Sequence, residues 1–301
     1  MFAGLSLGRE GPSVQLGASM GQMVSSRLAE TERHKRILIA SGASAGLSAA
    51  FNAPLSGVMF TLEEVFKYFS PLILLTCMTS AMVADMVARI MFGSGPVFHF
   101  QIVGSIELSN YWLLIILGII LGFFGAFYNW TLLTSQNLMK KIKSPFLRVL
   151  LTFLVVGATG LLFPNIIGSG HRLMDSFSLG MGLAFLCLIL IGKYLISMVS
   201  YASGVPGGIF FPLLVLGASL GAVFATIVIS LFHLPSHLFA NLVILAMAGT
   251  FTAIVRAPMT GILLLVEMTG SFDHLLPLAL VSLIAYVVAD LLQSEPILSL
   301  I

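Results

Sequence analysis

The chain has 301 residues, of which 58% are hydrophobic and 9% charged, and its formal net charge is +2. Soluble domains carry about 25% charged residues, so this chain lacks the polar material to coat a water-facing globule. Its near-neutral balance also implies no nucleic-acid or acidic-substrate partner. The solvent that fits such a composition is lipid: residues 194–255, 37–62 and 111–133 contain no Asp, Glu, Lys or Arg, and crossing a bilayer takes roughly 20 apolar residues.

Taken in chain order, residues 13–28 and 37–51 are predicted helices on either side of a polar hinge, Arg27 to Arg36. A helix from about Pro54 to Tyr68 and another from Pro71 to Met91 come next. Residues 92–110 are polar and contain Gly and Pro, and are predicted to link two halves outside the hydrocarbon. Spans are predicted near 111–136, 146–163, 180–201, 212–232, 238–254, 258–269 and 275–292. Several are short or broken by Gly and Pro, which a membrane tolerates only where the break is buried in protein or lines a wet cavity. The two cysteines, Cys77 and Cys187, lie in apolar segments without a CxxC pair, which suggests neither a disulfide framework nor a zinc site.

An internal repeat organises the chain. Gly8, Pro12, Leu16, Gly17, Ala18, Ser19 and Gly21 return as Gly208, Pro212, Leu216, Gly217, Ala218, Ser219 and Gly221. Further on, Ala53-Pro54-Leu55-Ser56-Gly57 with Glu63 returns as Ala257-Pro258-Met259-Thr260-Gly261 with Glu267. Small residues recur by chance in membrane helices, but two different motifs in one order at nearly one offset mark a duplication. The division expected is 1–110 for the later part of a first repeat and 111–301 for a second. About a hundred residues precede the motif in the second half and seven in the first. The opening helices of the first repeat are therefore expected to lie outside this chain, whose Met1 reads as an internal methionine with no cleavable signal peptide behind it.

The chemistry concentrates at the two loop-to-helix turns. In GREGPSVQ and in GGIFFP, glycines lead into a helix whose first turn holds proline. Such a start offers N–H groups and the positive end of a helix dipole, which attract an anion without a fixed charge. Partial charges let an anion enter and leave, where a buried lysine would hold it. Glu10 stands beside one of these starts. A glutamate inside a membrane is costly and functional by default; ionised, it can plug the anion position, and protonated, it loses that attraction. The alternative is a glutamate that only complements the dipole, paired with Arg9. Lys193, Arg256, Glu267 and Asp290 are read as structural.

GREGPSVQ, the Ala-Phe-Asn-Ala-Pro-Leu run at 50–55, GVPGGIFFP and RAPMTG together resemble the ClC family of chloride channels and proton–chloride antiporters, in family order along the whole chain. The resemblance implies an all-α integral membrane protein of two inverted-topology repeats of broken, tilted helices. It also implies a homodimer in lipid with one pathway per subunit, moving chloride and protons and using no cofactor. Glu10 matches the external gating glutamate. The backbone amides of Ile209 and Phe210, with Gly208 and Gly11 alongside, match the chloride-binding backbone. Glu64 falls where antiporters carry an internal proton glutamate, with a helix-end carboxylate facing water or a partner as the plainer alternative for the Glu63-Glu64 pair. Leu298 occupies the place of an expected tyrosine, and a first chloride-binding Gly-Ser-Gly-Ile-Pro loop would precede Met1. Residues 1–301 alone are thus expected to insert and dimerise without selective transport.

Proton-coupled chloride antiport is the resulting expectation, with a passive chloride channel and a non-conducting truncated partner as alternatives. A membrane enzyme is the rival from another class. It finds no support in the sequence, which has neither GxxxxGK[ST] nor HExxH and scatters its histidines near loops.

Overall fold

The computed structural model describes residues 4–93, 95, 98, 106–174 and 176–297, and the elements they form are helices. These are α1 (Glu10–Leu28), α2 (Glu32–Phe51), α3 (Pro54–Phe60), which runs on into a π turn (Thr61–Phe66), and α4 (Pro71–Phe92). After the linker come a 3-10 turn (Leu108–Asn110), α5 (Tyr111–Lys140), α6 (Pro145–Leu162), the short α7 (His171–Met174) and α8 (Leu183–Ala202). The last four are α9 (Phe210–Phe232), α10 (Leu238–Val255), α11 (Pro258–Thr269) and α12 (Leu275–Leu291). Among the described residues, six helices are long and apolar enough to cross a membrane: α4, α5 with its leading 3-10 turn, α6, α8, α9 and α10. The protein is a multi-pass integral membrane protein.

Two boundaries differ from expectation for local reasons. The hinge between α1 and α2 shrinks to three residues, because the side chain of Thr31 accepts from the His34 N–H and opens α2 at Glu32. An N-cap hydroxyl with an acidic first turn outweighs the polarity of Arg33 to Arg36. Helix α1 begins at Glu10, ahead of Pro12, so proline sits in the first turn, where its missing N–H costs no bond. The same holds for α9, which begins at Phe210 with Pro212 third.

The repeat is visible element by element: α1 corresponds to α9, α2 to α10, α3 to α11 and α4 to α12. Gly8 and Gly208, equivalent by sequence, face one another in an antiparallel bridge. The Gly8 N–H donates to the Gly208 carbonyl at 2.7 Å and the Gly208 N–H to the Gly8 carbonyl at 2.8 Å. A residue bonded in both directions to its own equivalent lies on a local two-fold axis, so the two loops run in opposite senses.

The chain folds as two compact units, each drawing on both halves of the sequence. One contains the residues up to Gly8, the stretch from the linker to Pro258, and the chain from Asp273 onward. In it α9 and α10 are almost wholly buried, and α5 lies against α10 and α12. A glycine stripe permits that approach: a Cβ on Gly118, Gly122 or Gly125 would stand 2.8, 2.5 or 2.5 Å from Ile284, Val288 or Ala253.

The other unit contains Arg9 to the linker, with Met259–Phe272. Here α1 and α2 cross backbone on backbone. A Cβ built on Gly17 would meet the Gly42 carbonyl oxygen at 2.1 Å, and one on Gly42 would meet that of Gly17 at 2.1 Å. Neither atom can yield, because both are helical carbonyls. Overpacking by a movable side chain costs about 1–3 kcal/mol, and a backbone clash exceeds that. Gly42→Val should therefore abolish a monodisperse folded protein in detergent, whereas Gly157→Ala, whose Cβ meets nothing within 4 Å, should shift the thermal midpoint by no more than about 2 °C.

Candidate functional site

Both loop-to-helix turns open helices at the expected places. Ile209 is the N-cap of α9, in helical conformation and without a side-chain cap. The side chains of this helix start are apolar. Phe210 packs edge-on against Phe251 with ring centroids 5.1 Å apart, and Phe211 stacks on His171 at 3.8 Å. Ile209, Phe210 and Phe211 are all buried. The loop that leads to this start is fixed at Gly208 by the two-way bridge to Gly8.

The matching turn opens α1. Arg9 is its N-cap, again helical and uncapped by a side chain, and Glu10 is the first residue of the helix, with Gly11 next. Glu10 is 2% exposed, a buried carboxyl at the positive end of a helix dipole. Arg9 is exposed and turns its guanidinium to the carbonyl of Ala50, 3.0 Å away at the end of α2. A cation at a helix C-terminus complements that helix's own dipole.

Buried hydroxyls that the sequence does not single out surround the approach to Gly8. The Ser6 N–H donates to the Ser200 hydroxyl at 3.0 Å, and the Ser6 and Ser197 hydroxyls lie 2.9 Å apart. Two serines three apart in the apolar helix α8 are the signal available for this cluster. Nearby in sequence, Lys193 is fully buried and its ammonium donates to the carbonyls of Ile166 and Gly168. It holds the loop after α6, in keeping with a structural role. Arg256 ends α10 and donates to the carbonyls of Tyr286 and Ser294, both at 2.8 Å, with Asp290 at 3.6 Å.

Glu63 and Glu64 separate sharply. The Glu63 carboxylate accepts from the Met259 N–H at 3.1 Å, the Thr260 N–H at 2.9 Å and the Thr260 hydroxyl at 2.8 Å, so it caps the start of α11. Glu64 is half-buried in the π turn. Its segment, α3 with the π turn, is about 20 Å long at 1.5 Å per residue, too short to cross a bilayer. Burial pushes the Glu64 carboxyl up from the usual carboxylate range, Lys67 pulls it back, and Glu63 adds to the rise. Such a carboxyl takes up a proton at higher pH than a solvated one. Leu298 lies outside the described residues. No group of three or more metal-ligating side chains occurs among the described residues.

A membrane-embedded helical protein with two repeat-related helix starts and a buried glutamate at one of them is the class these features define. The voltage gated chloride channel family model matches residues 1–290, and the chain belongs to that family. The H(+)/Cl(-) exchange transporter ClcA of Vibrio cholerae is 37% identical over 310 residues, covering 99% of this chain and 65% of that protein. ClcA of Klebsiella pneumoniae is 36% identical over 313 residues, with the same coverage of 99% and 65%. The chain therefore spans just under two thirds of the length of these curated relatives. A slow cyanobacterial Cl-/H+ antiporter superposes with a TM-score of 0.90 at 33% identity, over 99% of this chain and 71% of that one. A CLC-type fluoride/proton antiporter gives 0.81 at 26% identity, over 95% and 71%.

The self-paired bridge makes a direct structural prediction. Residues that exchange both hydrogen bonds across antiparallel strands have Cα atoms about 5.5 Å apart, within disulfide reach. With Cys77 and Cys187 replaced by serine, a Gly8→Cys/Gly208→Cys protein should lose both free thiols on mild oxidation. A Gly8→Cys/Gly204→Cys control should keep them, as read by maleimide labelling.

Proposed function

We propose that this chain carries the pathway of a proton-coupled chloride exchanger. In this reading chloride sits at the backbone amides of Ile209 and Phe210, beside Gly208, and Gly11 belongs to the second helix start. Glu10 is the gate: as a carboxylate it competes with chloride for the positive end of α1, and as a carboxylic acid it gives the place up. Glu64 passes the proton on the inner side. Chloride, protons, surrounding lipid and a second copy of the chain are the partners, and no cofactor takes part.

The observation that carries the reading is the buried Glu10 carboxyl on the first turn of α1, the repeat-equivalent of Phe210 on the first turn of α9. A duplicated anion-attracting turn that replaces an apolar side chain by an ionisable one builds a competitor for the anion into one copy only. That competitor is also a proton carrier, so exchange of chloride against the carboxylate links the two fluxes. The exchange transporters named among the relatives support the same reaction class. The half-buried Glu64, whose burial favours the protonated form, supports its role as the second carrier.

Two variants test the reading in liposomes carrying the protein's full chain. Glu10→Gln keeps the shape of the protonated gate and cannot exchange a proton. Chloride flux should persist within a few-fold of the parent, while uphill proton movement driven by a chloride gradient falls below about a tenth. Glu64→Gln should likewise stop proton movement and leave chloride flux running. Proton pumping by Glu10→Gln at the parent's rate overturns the gate, and the same result for Glu64→Gln overturns the inner carrier.

A further inference from the structure

Glu63 and Glu267 are equivalent by the repeat, and they bind each other's helices. Glu267, near the end of α11, accepts from the Leu55 N–H at 2.8 Å, the Ser56 N–H at 2.8 Å and the Ser56 hydroxyl at 2.7 Å, all at the start of α3. Glu63 makes the same three contacts with the start of α11, residue for residue and oxygen for oxygen: Oε1 takes the first N–H, and Oε2 takes the second N–H and the hydroxyl. Two helices whose ends clasp each other's starts run antiparallel about a local two-fold axis. Charge-assisted bonds of this kind are the strong ones, and each carboxylate also faces the positive end of a dipole.

Past the clasp the two copies part. In the second copy the helix stays α-helical through Thr269, and Met268, directly after Glu267, is fully buried. In the first copy the chain widens to a π turn from Thr61 to Phe66, and Glu64, directly after Glu63 and equivalent to Met268, is only half-buried. A π turn adds a residue to the turn and swings the next side chains around the helix axis; such turns are frequent at functional sites. Glu63 is the fixed point about which that swing takes place, since both of its oxygens are already bound.

We propose that Glu63 is a positioning residue for Glu64: clasped on the first turn of α11, it anchors the π turn that carries Glu64 out of the buried place its repeat-equivalent Met268 occupies. Glu63 itself moves no proton in this reading, because protonation would weaken the three bonds its carboxylate accepts. The inference rests on the reading of Glu64 as the inner proton carrier. It adds that proton transfer through Glu64 depends on an acceptor one residue away, while the equivalent acceptor on α11 serves the helix pair alone. Lys67 and Glu63 are the charged groups acting on Glu64, so a displaced Glu64 would also meet them differently.

The test compares Glu63→Gln, Thr260→Val, Glu267→Gln and Glu64→Gln in the full chain in liposomes, with chloride and proton fluxes recorded together from pH 4 to pH 8. Glu63→Gln should raise the number of chloride ions moved per proton about tenfold and shift the pH midpoint of proton flux. Thr260→Val, which removes one of the three donors, should raise it about threefold. Glu267→Gln loosens the same helix pair without touching the π turn, and should slow both fluxes in parallel at the parent's ratio and midpoint. A parent-like ratio and midpoint in Glu63→Gln, or a ratio in Glu267→Gln altered as much as in Glu63→Gln, overturns the inference. If Glu63→Gln does not fold, Thr260→Val decides alone, and a parent-like ratio there overturns it. A parent-like ratio in Glu64→Gln instead overturns the underlying assignment of the carrier.

Discussion

Lipid offers no hydrogen-bond partner to a broken helix, so every break inside this protein has to bring its own. The chain meets that requirement by using its duplication. The loop at Gly8 is satisfied by the loop at Gly208, the start of α3 by the end of α11, and the start of α11 by the π turn that follows α3. Each copy supplies what the other lacks, which is why neither repeat reads as a self-sufficient fold. The N-caps of α1 and α9, Arg9 and Ile209, make no side-chain cap of their own.

The second copy is built around apolar burial and the first around titratable chemistry. Phe210 stands where Glu10 does, and Met268 where Glu64 does; the apolar member is fully or nearly fully buried in each pair. At these two positions the ionisable member lies in the first copy and the apolar member in the second. A carboxyl in such surroundings is costly when charged, and the two sites meet this differently. Glu10 has a helix dipole beside it, whereas Glu64 is left half in contact with solvent-accessible space by its π turn.

Much of the fold is legible in the sequence because membrane helices announce themselves by what they exclude. The runs without charge locate the long helices, and Gly and Pro mark the breaks. The seven-residue match at one offset establishes the equivalence of α1 with α9 before any coordinate. The start of α2 is hidden because its first turns carry Arg33 to Arg36, and only the Thr31 cap reveals that they are helical. The π turn leaves no mark either: Thr61 to Phe66 differs from a regular helical turn in hydrogen-bond register, which composition does not encode. Glu63 and Glu267 match in the repeat, yet their reciprocity depends on two helices about 200 residues apart in sequence lying antiparallel. The Ser6, Ser197 and Ser200 cluster is hidden for the same reason, since hydroxyls in an apolar helix are mostly spent on their own backbone.

The crossing of α1 and α2 has a consequence for how the two copies can change. Gly17 and Gly42 each occupy the space the other's side chain would need, and Gly21 and Gly46 press on Leu38 and Ser13 in the same way. In the second copy the partners of Gly217 and Gly221 are no longer glycines: Ala246 and Thr250 stand at the places of Gly42 and Gly46. The α9–α10 hairpin has therefore been wedged open by a methyl and a hydroxyethyl group, while the α1–α2 hairpin remains at backbone contact. From that point the two hairpins stopped being interchangeable parts. A segment copied from the second half into the first would arrive with side chains for which there is no room. A segment copied the other way would leave gaps, which are tolerated far better than clashes.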